Sequence, residues 1–203
     1  MLYKIRNITA RYFEIPIAKF LIKLRLSPNL VTLIGLALAI VSAYLIADTS
    51  INNHFLFAAI IMLLSGIMDL FDGAVARLTD NVTKLGAFID SLSDRIGEIA
   101  IFLGLTIYFS MNDNAVGASL TLVGLGGSLT VSYIRARAEA LKIECKTGLM
   151  ARPERIICLF IGLLVANWWS PILEIIMGII AVVTIITSIQ RFLIVVRQIS
   201  ENN

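Results

Sequence analysis

Asp69 and Asp72 stand three residues apart, and Gly86, Asp90 and Asp94 recur every four, inside DLFDGAVARLTDNVTKLGAFIDSLSD (69–94). On helices these spacings put each set on one face. An antiparallel hairpin turning near 80–83 would bring Asp69 level with Asp94 and Asp72 level with Asp90, a rectangle of carboxylates between two helices. Two anions 6 Å apart repel by about 3 kcal/mol at an effective dielectric near 20, so such a cluster calls for positive charge. Oxygen donors without His or Cys suit a hard cation, the shared acidic box suits two, and Mg²⁺ is the usual choice where phosphates complete the shell. Gly73, Ala76, Gly86 and Ala87 are small, as needed where backbones or a ligand approach closely. Two other roles are open to these acids. They could pair with Arg77 and Arg95 and only lock the hairpin, although four acids against two bases is unbalanced, or they could line a proton or cation pathway.

The elements that must hold this cluster are membrane helices. The 203-residue chain is 58% hydrophobic and 15% charged, whereas soluble domains are roughly half apolar and about a quarter charged. Its long apolar runs lack strand-like alternation, and helices satisfy their own backbone in lipid. The sequence predicts an all-α integral membrane protein of six transmembrane helices, at about 28–47, 53–78, 85–110, 115–138, 154–170 and 172–194. An N-terminal amphipathic interfacial helix precedes them within 1–26. Its residues 4–25 mix Lys4, Arg6, Arg11, Lys19, Lys23 and Arg25 with Ile5, Ile8, Ile17, Phe20, Leu21 and Leu24, too charged to span and unlike a cleavable signal, with Pro16 at a bend or restart.

All 17 Lys and Arg fall on the side of this topology that holds both termini, while the turns near 48–54, 111–114 and 168–171 hold none. The positive-inside rule therefore places both termini and the acidic hairpin on the cytoplasmic side of a multi-pass cell-membrane protein. The net charge of +3 is a one-sided basic face suited to membrane lipids or anionic substrates, not to nucleic acid. Cys145 and Cys158 suggest no disulfide or metal pattern, and His54 sits in an external turn. Without repeats or linkers, residues 1–203 read as a single membrane domain, with 27–203 as its six-span part. Gly124, Gly126 and Gly127 permit close packing, within one subunit sooner than at a dimer seam.

The pattern Asp69-x-x-Asp72-Gly73-x-x-Ala76-Arg77, eight residues, then Gly86-x-x-x-Asp90-x-x-x-Asp94 resembles the complete signature of the CDP-alcohol phosphatidyltransferase family. That resemblance, which extends along nearly the whole chain, implies transfer of a phosphatidyl-type group from a CDP-lipid to an alcohol with release of CMP, and a homodimer. It implies two Mg²⁺ ions, with Mn²⁺ admissible, one on Asp69, Asp72 and Asp90 and the other on Asp69, Asp90 and Asp94. Asp94 is also implied as the general base. Gly73, Arg77 and Thr83, with Asn29 and Thr32 of SPNLVT, match positions that hold the CDP-lipid.

The acceptor is read from SYIRARAEALKIECKTGLMARPER (132–155), which concentrates Arg135, Arg137, Lys142, Lys146, Arg152 and Arg155. So many cations suit an acceptor already carrying phosphate, which guanidinium groups grip in pairs. SYIRARAE and RPER are similar to stretches of the phosphatidylinositol-phosphate synthase branch, in which arginines line the acceptor pocket. This implies inositol 1-phosphate as acceptor, bound by Arg135, Arg137, Arg152 and Arg155. Glycerol 3-phosphate, as in phosphatidylglycerophosphate synthase, is the competing acceptor. CDP-diacylglycerol and CDP-archaeol are both open as donor. From other classes, a cation transporter predicts acids along a route open to both sides, whereas spans one, four and five carry none in their apolar parts. A catalytically dead subunit predicts an eroded motif.

Overall fold

The computed structural model describes residues 14–145 and 147–202, and these are all-helical. The elements are α1 (Ile15–Lys23), α2 (Pro28–Ala47), α3 (His54–Leu78), α4 (Lys84–Met111), α5 (Ala115–Ala140), α6 (Arg152–Ala166) and α7 (Ile172–Asn202). Of the segment expected at 4–25, Lys4, Arg6 and Arg11 lie outside the described residues. Pro16 falls in the first turn of α1, where its missing N–H costs no helical bond and its fixed φ suits the helix.

Four helices, α2, α3, α5 and α7, are long and apolar enough to cross a membrane. Of the six expected spans, two fall short, for different reasons. α4 has the length but carries Asp90, Asp94, Arg95 and Glu98 in its first half. α6 has 15 residues, which rise about 22 Å against about 30 Å of hydrocarbon. Expected boundaries drifted most where hydropathy and helix ends part company. Asn167 to Ser170, with two tryptophans, leave the helix, and α7 runs on past Ile194 through Arg197.

The chain divides into two compact units, Met1–Ser42 with Ile60–Ala100, and Ala43–Ala59 with Ile101–Asn203. In the first, Ala18 and Leu21 of α1 bury against Val31 of α2 and Phe71, Ala74 and Val75 of α3. In the second, α5 and α6 both pack on α7. Gly124 meets Phe102, Met177 and Ile180, and Gly127 lies where a Cβ would collide with Thr184, so these two glycines serve packing within the subunit.

Four helices stop by one device. Arg25, Asp80, Asp113 and Lys142 take positive φ of 58°, 51°, 53° and 60°. The following N–H then reaches back five residues: Leu26 to Leu21 O, Asn81 to Ala76 O, Asn114 to Phe109 O and Ile143 to Ala138 O, at 2.9–3.1 Å. This is the Schellman closure, usually made with glycine. Asp tolerates the left-handed region by bonding locally. The result is a set of abrupt turns at fixed positions, two of which shape the sites below.

Candidate active site

Five residues, 79–83, separate α3 from α4. Asp80 closes α3, and the Thr83 hydroxyl accepts from Gly86 N at 2.9 Å, capping α4 in the usual side-chain manner. A Cβ on Gly86 would stand 3.1 Å from Thr83 Oγ1 and 3.2 Å from Asn29 Oδ1. Glycine there lets α2, the turn and α4 converge. With the turn so tight, one carboxylate oxygen each from Asp69, Asp72 and Asp90 lie within 4.8 Å of one another.

Asp72 is 6% exposed, and its Oδ2 accepts a 2.6 Å bond from Thr32 Oγ1. A charge-assisted hydroxyl–carboxylate bond of that length fixes the carboxylate firmly. The donor set fits a hard divalent cation, because it is all oxygen and opposite ligands of Mg²⁺ stand about 4.2 Å apart. Asp94 lies one turn beyond Asp90, with its Oδ2 3.3 Å from Arg95 Nη1. Arg77 Nη2 lies 3.7 Å from Glu14 Oε2.

A cavity of ≈ 330 Å³ opens beside the carboxylates, lined by Asn29, Thr32, Gly73, Arg77 and Thr83 together with Asp72 and Asp90. All five residues matched to CDP-lipid binding thus share one wall-to-wall space with two of the acids. Arg77 arches over Gly73, where a Cβ would stand 3.1 Å from Nη1. The Arg77 side chain is 64% exposed, so its guanidinium can turn toward an anion with little loss of packing. Pro28, Asn81 and Val82 also line the space. Sequence reasoning missed them, and the only signal was their adjacency to Asn29 and Thr83.

The arginines expected to meet the acceptor lie in the second unit. Arg135, on the last turns of α5, pairs with Glu139 at 2.8 Å and is half exposed; Arg137 is exposed. Arg152 is half-buried at the start of α6, and Arg155, one turn on, is 1% exposed. The N-terminus of α6 has no side-chain cap, so its N–H groups and dipole add to the positive potential of both arginines. Lys146 lies outside the described residues. The sequence reading gave no site role to Arg191, which is 3% exposed and donates from Nη1 to Val131 O at 2.9 Å and from Nε to Thr147 O at 3.0 Å. A charge inside an apolar run was its one visible signal.

Residues 25–190 match the model of the family described as CDP-alcohol phosphatidyltransferase. The chain belongs to that family. This CDP-alcohol phosphatidyltransferase is 35% identical over 179 residues to the phosphatidylinositol phosphate synthase of Corynebacterium glutamicum, an alignment covering 87% of this chain and 80% of the relative. It is 36% identical over 183 residues to the enzyme of that name from Mycobacterium tuberculosis, covering 87% and 82%. Crystal structures of the Mycobacterium tuberculosis enzyme superpose well on the transferase. One, with CDP-DAG bound, gives a TM-score of 0.81 at 33% identity over 90% of this chain and 93% of that one. Another, holding manganese and citrate, gives 0.82 at 32% identity over 90% and 88%. The three-aspartate group and the manganese-bound neighbour together mark the transferase as a binder of divalent metal.

Proposed function

We propose that this transferase moves a phosphatidyl-type group from CDP-diacylglycerol or CDP-archaeol to inositol 1-phosphate, giving a phosphoinositol lipid phosphate and CMP. The observation that carries the donor half is the cavity in which Asn29, Thr32, Gly73, Arg77 and Thr83 share walls with Asp72 and Asp90. Asp69, Asp72 and Asp90 would hold one Mg²⁺, and Asp69, Asp90 and Asp94 a second. Such ions supply positive charge to the pyrophosphate oxygens and to the charge developing on CMP. The acceptor oxygen bonds to the lipid-side phosphorus, the pyrophosphate P–O bond breaks, and CMP departs with the electron pair. Asp94 takes the hydroxyl proton as general base. It lies one turn past Asp90, with its Oδ2 3.3 Å from Arg95 Nη1.

The acceptor assignment is supported by the names of the relatives and by Arg152 and Arg155 at the uncapped start of α6, with Arg135 and Arg137 completing the set. Arg135 exchanges Glu139 for phosphate at low cost, since an exposed i,i+4 pair is worth about 0.3–0.5 kcal/mol. Purified enzyme with Mg²⁺ and each CDP-lipid, given inositol 1-phosphate, inositol, glycerol 3-phosphate or serine separately, should release CMP with inositol 1-phosphate alone. Release with glycerol 3-phosphate alone would keep the metal site and overturn the acceptor. Release with no acceptor on either donor would count against transfer itself.

The same proposal takes 27–203 as one six-span domain, since the family match runs through both compact units, and takes the working enzyme as a homodimer. α4 and α6 complete the six spans. α1 lies in the interface, with Phe20 59% and Leu24 54% exposed beside Lys19, Lys23 and Arg25. Both termini and the site face the cytoplasm. Impermeant thiol labelling of single cysteines placed at 50, 82, 112 and 169 should reach 50, 112 and 169 from outside the cell and 82 only after lysis.

A further inference from the structure

The segment 141–151 joins the two arginine-bearing helices α5 and α6, and one face of α7 holds its backbone. Thr187 Oγ1 accepts from Met150 N at 3.2 Å. Arg191 Nε donates to Thr147 O at 3.0 Å. Gln198 Nε2 donates to Glu144 O at 3.3 Å. The spacings of four and seven residues put these three side chains on one helical stripe. Thr187 is fully buried and spends its own proton on Val183 O at 2.7 Å, which leaves an oxygen lone pair to receive the loop. At Gly148 the loop comes so close that a Cβ would stand 2.6 Å from Thr187 Cγ2, and its φ of 145° is one that glycine adopts freely. Alongside, a groove of ≈ 530 Å³ is lined by Thr147, Gly148 and Leu149 of the loop and by Gln190, Leu193 and Ile194 of α7. The loop is thus fixed by discrete polar anchors, together with the buried Cys145 and Met150. Its last anchored residue, Met150, also presents its carbonyl 3.5 Å from Arg155 Nη1.

We propose that Thr187 and Gln198 are positioning residues for the acceptor. Through the loop backbone they set where Arg152 and Arg155 stand, so acceptor recognition depends on α7 side chains that need not touch the acceptor. This rests on the assignment of Arg152 and Arg155 to the acceptor phosphate. Thr187→Val keeps shape and removes the acceptor oxygen for Met150 N–H. It should raise the acceptor KM about tenfold, the scale of one unsatisfied buried partner, with donor KM and kcat within about twofold of the parent. Thr187→Ser should restore the acceptor KM, and Gln198→Ala should raise it by a smaller factor. In a Cys158→Ser background, the buried Cys145 of the loop should react faster with a maleimide in Thr187→Val than in the parent or Thr187→Ser.

Equal changes in donor and acceptor KM, or no change with unaltered Cys145 reactivity, would overturn the positioning role. Should Thr187→Val fail to fold, Thr187→Ser and Gln198→Ala decide alone. An acceptor KM raised in Gln198→Ala and retained in Thr187→Ser supports the role, and any other pattern overturns it. Arg155→Gln is run in parallel. If it leaves acceptor KM unchanged, the arginine assignment itself has failed, whereas a rise in Arg155→Gln with none in the α7 variants sinks only the positioning role.

Discussion

The acidic hairpin and the basic segment 132–155 both gather like charges, yet they are built by opposite means. In the hairpin, one period and one short turn do the assembly. Asp69 and Asp72 share a face of α3, Asp90 sits on the facing stripe of α4, and the five residues between the helices leave little freedom in register. In the basic segment the arginines are separated by an 11-residue connection, 141–151, whose described residues form no helix or strand. What fixes it comes from Thr187, Arg191 and Gln198, 37 to 54 residues along the chain. Local periodicity sets the register of the first site, where Thr32 adds one hold from 40 residues away, and the second depends on distant polar anchors throughout.

The largest effect should come from breaking the hairpin group at its most buried member. Asp72→Asn keeps the bond geometry available to Thr32 but removes the charge a divalent ion requires. CMP release should fall by about 10³-fold or more, and raising Mg²⁺ or Mn²⁺ should recover little of it, on the scale of losing a group that acts in the transition state. Activity within about tenfold of the parent would show that the other carboxylates suffice. Asp94→Asn should abolish turnover similarly while CDP-lipid binding survives, because Asp94 stands outside the group of three. Retained turnover would remove it as the base.

Next in size, Gly148→Ala tests the anchored loop. An L side chain at φ 145° is strained, and its Cβ would press into Thr187; about 1–3 kcal/mol of local strain is expected. Acceptor KM should rise more than donor KM, whereas a mere loss of melting temperature with unchanged KM values would mean that the loop accommodates the change without moving the arginines.

Much of the first site was legible because spacing encodes it. Helical period alone put Asp69, Asp72 and Asp90 together, and the motif resemblance gathered five lining residues into one cavity. The same reasoning set Asp94 level with Asp69 as a corner of a rectangle; the structure brings oxygens of Asp69, Asp72 and Asp90 together and puts Asp94 Oδ2 3.3 Å from Arg95 Nη1. Thr32 was read as a nucleotide contact, and its bond to Asp72 was invisible because it joins residues 40 apart. In the second site, residue type suggested anion binding, but burial did not follow from it. Arg155 is fully buried while Arg137, in a string equally basic, is exposed. Helix ends failed for a related reason: hydropathy extended span five through Trp168 and Trp169, which are 79% and 51% exposed beyond the end of α6.

The Thr32–Asp72 bond allows a smaller and more discriminating test of the contrast. Thr32→Val deletes the hydroxyl without changing shape, leaving Asp72 in place but less firmly held. Losing an outer partner of a metal-ligating carboxylate typically costs about 10–100-fold in metal affinity, so the Mg²⁺ concentration for half-maximal activity should rise by that order. If the hydroxyl serves only to orient Asp72, kcat at saturating Mg²⁺ should stay near the parent value and the CDP-lipid KM should not move. If it also touches the nucleotide, the CDP-lipid KM should rise at saturating metal as well. Acceptor KM serves as the internal control, since the loop between its arginine-bearing helices is bonded to α7. A rise confined to acceptor KM would mean that the two charge clusters are not independent, and the division between a locally encoded site and a remotely anchored one would have to be abandoned.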